Sequence, residues 1–224
     1  VAIDISDSNN SGFLSAGEIK RILERKRLYP LNKTMSSIVP RQIEEALKAS
    51  PFVNTAECYK TNNGHVCISI TQRSPIIRIK SDNGADYYLD DQGGQLPNSH
   101  YTSDLIIATG HISNLFAQRY IAPLARTIMT SELWNNQIVQ INVLPDLGIE
   151  LVPRVGNHIV FMGYLPQSRS RLEREKAIEE FTNKKLTRLE KFYRYGLSNA
   201  GWNKYSYINI EFDNQIICKK NTII

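Results

Sequence analysis

The chain has 224 residues, 42% of them hydrophobic and 22% charged, with 12 Gly and 9 Pro; this is a globular composition and excludes collagenous, disordered and disulfide-stapled classes. Lys and Arg outnumber Asp and Glu by 27 to 22, for a net charge of +5, which suits anionic surroundings such as a membrane surface or a wall polymer. The basic residues are scattered, so nucleic-acid binding is not indicated. Their one concentration, between Arg169 and Arg194, is interrupted by Glu173, Glu175, Glu179, Glu180 and Glu190. It reads as a solvated helix face in preference to a phosphate-binding patch. No run reaches the roughly 18 apolar residues that a membrane-spanning helix requires, and the longest candidate, around Leu105 to Ala108, is strand-length. The chain opens without Met inside an alternating segment, Val1, Ile3 and Ile5. It is therefore expected to belong to a longer precursor, with a signal peptide or membrane anchor upstream.

After that opening strand, Ile19, Ile22 and Leu23 recur at helical spacing, and Ser15 with Glu18 forms a capping box, which predicts a helix over Ser15 to Arg27. A second helix spans Pro40 to Ala49, with Pro40 at its start, Pro51 beyond its end, and Ile43 and Leu47 on one side. Val53 to Ile70 reads as a hairpin turning at Asn62, Asn63 and Gly64. Strand, helix, helix, strand, strand places two helices on one face of a three-stranded sheet. From Pro75 the pattern changes. Strands are expected at Ile76 to Lys80 and Tyr87 to Leu89, followed by a turn at Asp90 to Gly94 and an irregular stretch to Asp104. A helix over Ser113 to Ser131 comes next. Strands follow at Ile138 to Val143, Ile149 to Val152 and His158 to Met162, with Gly148 and Gly156 at turns. Residues 168–196 form one long helix or two joined, because Ile178, Phe181, Leu189 and Phe192 make an apolar stripe. Two last strands, Tyr205 to Phe212 and Gln215 to Lys219, meet at Asp213 and Asn214. The fold class is α+β, with domains expected at 1–74 and 75–224.

Few residues invite chemistry. Asp7, Asn9, Ser11, Gly12 and Glu18 fit the spacing of a calcium loop. However, the six residues before Asp7 leave no room for an entering helix, and Glu18 is already explained as the cap partner of Ser15. No metal is expected. Asp90 and Asp91 point to opposite sides of a strand that enters a glycine turn, which suits a turn better than an acid–base pair. His65, His100, His111 and His158 lack partners at metal-site or nucleophile spacing. Cys58, Cys67 and Cys218 lack metal-ligand spacing, and strand alternation turns Cys58 and Cys67 apart, so no disulfide joins them. No catalytic or cofactor motif is visible, which favours a binding or scaffolding protein. In the last hairpin, alternation puts Tyr207, Asn209 and Glu211 on one face and Ser206, Ile208, Ile210 and Phe212 on the other. If Gln215 to Lys219 borders a sheet, its free main chain can accept a strand from another protein. Lys219 and Lys220 could equally blunt that border.

Several segments in order resemble the bacterial division protein family FtsQ, also called DivIB, and especially its Bacteroidetes-type members. Val39-Pro-Arg-Gln-Ile-Glu-Glu-Ala-Leu47 and Ser50-Pro-Phe-Val-Asn-Thr-Ala-Glu-Cys58 look like the second helix and following strand of a POTRA domain. Ile68-Ser-Ile-Thr-Gln-Arg-Ser-Pro-Ile-Ile-Arg78 looks like the exit strand into the family's β domain. Tyr87-Tyr-Leu-Asp90 with Gly93 or Gly94 and Pro97 resembles a strand and turn inside it. Lys185-Leu-Thr-Arg-Leu-Glu-Lys-Phe-Tyr193 and Tyr207-Ile-Asn-Ile-Glu-Phe-Asp-Asn-Gln-Ile-Ile217 look like its last helix and hairpin. The resemblance implies a POTRA domain followed by a mixed β-sheet domain with flanking helices. It also implies no catalysis and no cofactor, a periplasmic location, and an inner-membrane anchor just upstream of Val1. Its implied partners are FtsB- and FtsL-like coiled-coil proteins and other divisome components, the former held by strand addition to the last strand. Phe212 stands where the family often has an aromatic, and Asn214, Gln215, Ile216, Ile217 and Lys219 occupy the receiving strand. Glu211 departs from the basic residue often found before that aromatic. The stretch from Leu165 to Asn183 looks longer than in many relatives. The alternatives are a POTRA module of an outer-membrane assembly or secretion system, and a calcium-binding wall or adhesion module.

Overall fold

The computed structural model describes residues 1–6, 14–98 and 104–221. The chain divides into two compact units, Val1–Ser74 with Leu96–Ser103, and Pro75–Gln95 with Asp104–Ile224.

The first unit is a three-stranded sheet with two helices. Strand β1 (Ala2–Ser6) runs parallel to the central β3 (Val66–Gln72), and β2 (Val53–Lys60) runs antiparallel to it. Helix α1 (Ala16–Arg25) begins at the expected capping box, with Ser15 Oγ accepting from the Glu18 N–H and the Glu18 carboxylate accepting from the Ser15 N–H at 2.8 Å. Helix α2 (Pro40–Lys48) has Pro40 in its first turn, where a missing N–H removes no helical bond. Ile19, Leu23, Ile43 and Leu47 from the helices join Ala56, Val66, Ile68 and Ile70 from the strands in one buried cluster. A register shift between Val53 and Thr55 turns both Val53 and Ala56 inward.

The larger sheet has nine strands in the order β12-β11-β10-β9-β8-β7-β4-β5-β6, of which β12 to β5 in that order build the second unit. Its strands are β4 (Pro75–Ser81), β5 (Asp86–Asp90), β6 (Gln95–Pro97), β7 (Ile106–Gly110), β8 (Ile138–Val143), β9 (Gly148–Pro153), β10 (Ile159–Tyr164), β11 (Tyr205–Asn209) and β12 (Ile217–Lys220). Parallel pairs β4–β7, β7–β8 and β10–β11 mix with antiparallel ones, as expected of an α+β domain. Ile77, Ile79, Ala108, Ile141 and Leu151 share a buried cluster with Leu124, Ile128, Ile178 and Leu189 from the helices.

Several elements differ from expectation. The helix expected over Ser113 to Ser131 is broken into α3 (Asn114–Phe116), a π-helical turn (Ala117–Ile121) and α4 (Ala122–Met129). Pro123 is the cause, because it has no N–H for the Arg119 carbonyl and its ring crowds that carbonyl. Ser131 does not close this helix but caps a new one, α5 (Glu132–Gln137), accepting from the Trp134 N–H at 3.4 Å. Within the irregular stretch, β6 adds a short strand. The long helix is α6 (Arg171–Phe192), continued by a π turn (Tyr193–Leu197) and α7 (Ser198–Ala200).

Candidate functional site

Strand β12 borders the nine-stranded sheet and, among the described residues, pairs with β11 alone. Strand alternation divides its residues: Cys218 packs against the core, while Ile217 is 49% exposed and Lys219 lies in solvent. β11 beneath it is firmly held. Ile208 is fully buried, and the Tyr207 hydroxyl donates to Glu150 Oε1 at 3.1 Å, while Asn142 Nδ2 donates to Glu150 Oε2 at 2.9 Å. Burial, and then the bond to Glu150, push the Tyr207 phenol up to about 12, so it remains a donor.

Between β11 and β12 the chain leaves the ribbon earlier and rejoins it later than the sequence predicts. The expected strands Tyr205 to Phe212 and Gln215 to Lys219 shorten to Tyr205–Asn209 and Ile217–Lys220. Three side chains of α6 are responsible. Arg188 donates from one Nη to the Ile210 carbonyl at 3.2 Å and from the other to the Gln215 carbonyl at 3.1 Å. Lys184 pairs with Asp213 at 2.8 Å, and Lys185 binds the Glu211 carbonyl and lies 3.6 Å from the second Asp213 oxygen. The Lys184 bond holds the Asp213 carboxyl below its usual range, while burial pulls the Lys185 ammonium down. The Ile210, Glu211 and Gln215 carbonyls are thus bonded to α6, which holds this loop against the helix.

This corrects the placement of Phe212, Gln215 and Ile216, and it puts Asn214 in the turn that strand alternation gives it and not on the receiving strand that the resemblance implies. Phe212 does not share the buried face of Ile208 and Ile210 but stands 45% exposed on the loop. Asn214 lies in a turn, and Gln215 and Ile216 precede the strand. Ile216 packs against the core. Ile217 and Lys219 lie on β12 as expected. Beside the loop, the end of α6 and its π turn form a groove of about 540 Å³ in which Arg188, Phe192 and Tyr195 face Asn214, Gln215 and Ile216. Tyr195 is 74% exposed. Sequence reasoning missed Arg188, Phe192 as a groove residue, and Tyr195. Arg188 looks like any other cation on a charged helix, and Tyr195 lies in a π turn whose facing direction helical periodicity does not give.

Of the remaining candidates, Asp90, His158 and Cys58 are buried within the fold. Asp7, Asn9, Ser11 and Gly12 lie outside the described residues, and the carboxylate of Glu18 is engaged by Ser15. Among the described residues no group of three or more His, Cys, Asp or Glu is placed to hold a metal ion. Asp90 is a buried turn residue, accepting from the N–H groups of Gln92 and Gly94. His158 is buried, its Nε2 2.7 Å from the Tyr193 hydroxyl. Cys58 stands opposite Ile68 in the core, whereas Cys67 stands opposite Tyr59 on the other face, so the two thiols diverge as alternation requires. His100 lies outside the described residues.

Two family models match the chain: POTRA-like domain over residues 1–71, and FtsQ/DivIB, C-terminal related, over residues 74–219. The chain belongs to the FtsQ/DivIB family. No curated protein matches it. The family is one of non-enzymatic division scaffolds whose members engage other divisome proteins. Among the described residues no helix is long and apolar enough to cross a membrane.

Proposed function

We propose that this chain is the periplasmic part of a membrane-anchored division scaffold that holds FtsB- and FtsL-like coiled-coil proteins by adding a partner strand to β12. The anchor would be a helix upstream of Val1. The observation that supports this reading is the border position of β12, which has β11 on one side and no strand on the other among the described residues. An added strand takes its affinity from main-chain bonds and its selectivity from side-chain pockets. Ile217, projecting from the border, and the groove beside Tyr195, Asn214, Gln215 and Ile216 supply such pockets, with Phe212 and Lys219 at the margins. Each main-chain bond contributes only about 0.5–1.5 kcal/mol net, so burial of Ile217 and of the exposed aromatics must provide the rest.

The test is a substitution scan of β12 in the full-length protein, read by co-purification of small coiled-coil membrane proteins from cells. Alternate N–H groups of a border strand point outward. Proline at an outward-facing position of Ile217–Lys220 should therefore abolish capture while the fold survives, and alanine at the same position should weaken it less. If proline and alanine cost the same at every position in folded protein, main-chain capture is wrong.

A further inference from the structure

The arginines at the start of α6 are not the evenly solvated face that their sequence suggests. Arg174 is 6% exposed, and its guanidinium donates through Nε to the Arg119 carbonyl at 3.3 Å and through one Nη to the Ser168 carbonyl at 3.0 Å. The Arg119 carbonyl is open to it because Pro123, four residues on, has no N–H to take it. The Arg174 guanidinium also lies 5.5 Å over the Tyr120 ring. Among the described residues no carboxylate pairs with Arg174, although buried cations are normally paired.

Arg174 lines a cleft of about 320 Å³ together with Arg119, Arg169, Arg171, Glu175, Gln118, Gln92 and Gly93. Arg171 is satisfied by Glu175 at 2.8 Å, and Glu175 is shared with Arg126 at 3.6 Å. Arg119 and Arg169 have no carboxylate partner among the described residues. Arg119, Arg169 and Arg174 thus line one cleft with no carboxylate paired to them among the described residues, the acidic lining residue Glu175 being taken by Arg171 and Arg126. The back wall is tight: a Cβ on Gly93 would come within 3.2 Å of the Gln118 carbonyl, so the cleft is shaped by main chain as well as by long side chains. Its volume is at the lower end of small-molecule sites, roughly 300–1,000 Å³, and exceeds what a lone simple ion needs. Guanidinium groups match phosphate oxygens in paired geometry.

We propose that this cleft binds a diphosphate-bearing ligand, with Arg174 as the fixed inner contact and Arg119 and Arg169 closing on it from the rim. The site lies at the opposite end of α6 from the groove beside β12, so it is independent of partner capture.

The experiment is calorimetric titration and thermal shift of the protein with inorganic pyrophosphate at constant ionic strength. Citrate serves as a carboxylate control, and phosphatidylcholine vesicles with and without phosphatidylglycerol serve as a lipid-surface control. Saturable one-to-one pyrophosphate binding should weaken at least tenfold in an Arg119→Gln, Arg169→Gln double variant and stay unchanged in Arg188→Gln. Both rim residues are exposed, so the double variant should keep its urea midpoint. A separate Gln118→Glu variant, which adds a negative charge to the wall, should also lose binding. The proposal is overturned if pyrophosphate does not saturate, if the double variant binds as well as the parent, if citrate binds equally, or if only phosphatidylglycerol vesicles are bound.

Discussion

Gly110 and His158 show how single positions are dictated by surroundings that lie far away in sequence. Gly110 ends β7 with φ +94, and a Cβ there would sit 2.2 Å from the Val143 carbonyl oxygen, which already accepts the His111 N–H at 2.8 Å. Alanine would meet both a left-handed conformation and immovable backbone. Gly110→Ala should cost about 3 kcal/mol or more in urea denaturation, whereas alanine at Gly84, where a Cβ meets nothing within 4 Å, should cost only the strain of its positive φ. His158 titrates in the opposite sense to a salt-bridged histidine. Burial pushes its pKa down, so the unfolded chain protonates first as pH falls. The stability that it provides is complete above about 6.5 and is lost as pH drops from there toward the folded value. Unfolding free energies from urea titrations between pH 7.5 and 5.5 should fall with pH, by at most about 1.4 kcal/mol per pH unit from this one group. Replacing His158 by Gln should flatten that dependence.

At the scale of elements, periodicity and capping identify α1, α2, β2, β3 and β8 closely, because their signals are local: Ser15 with Glu18, Pro40, the alternation of Val66, Ile68 and Ile70, and the run from Ile138 to Val143. They fail where one element reaches into another. The hairpin loop is opened by Arg188, Lys184 and Lys185, which stand more than twenty residues away in the chain. The break at Ala117–Ile121 could have been read from Pro123, yet its consequence, a free Arg119 carbonyl taken by Arg174, could not. If Arg188 shapes the approach to β12, Arg188→Ala should speed hydrogen exchange of the β12 amides and weaken partner capture. Exchange in β8 and β9 should stay unchanged. Two hydrogen bonds from a cation are lost, each worth about 1.5–3 kcal/mol locally. Unchanged exchange in β12 would mean that the loop is held by Lys184, Lys185 and Asp213 alone.

For the whole molecule, the two hydrophobic clusters share no residue among those described. We propose that 1–74 and 75–224 are separate folding domains on this ground. Ile43 belongs to the first cluster and Leu124 to the second, each at most 1% exposed. Truncating either to alanine should cost about 2–5 kcal/mol. Scanning calorimetry should show Ile43→Ala lowering one transition and Leu124→Ala the other, whereas a single shared transition moved by both would refute separate domains.

The order of helices and strands from β1 to β5, the capping of α1, the divergence of Cys58 and Cys67 and the likeness to the FtsQ/DivIB family are all written in the amino-acid sequence. They depend on neighbours within a few residues or on segments in fixed order. Only the tertiary structure decided that β12 borders the sheet, that Phe212, Asn214, Gln215 and Ile216 stand off it, and that Arg119, Arg169 and Arg174 converge on one cleft. Spatial order in a mixed sheet follows from pairing between distant strands. A guanidinium's partner is whichever carbonyl or carboxylate the fold brings within reach, and chain distance has no say in that.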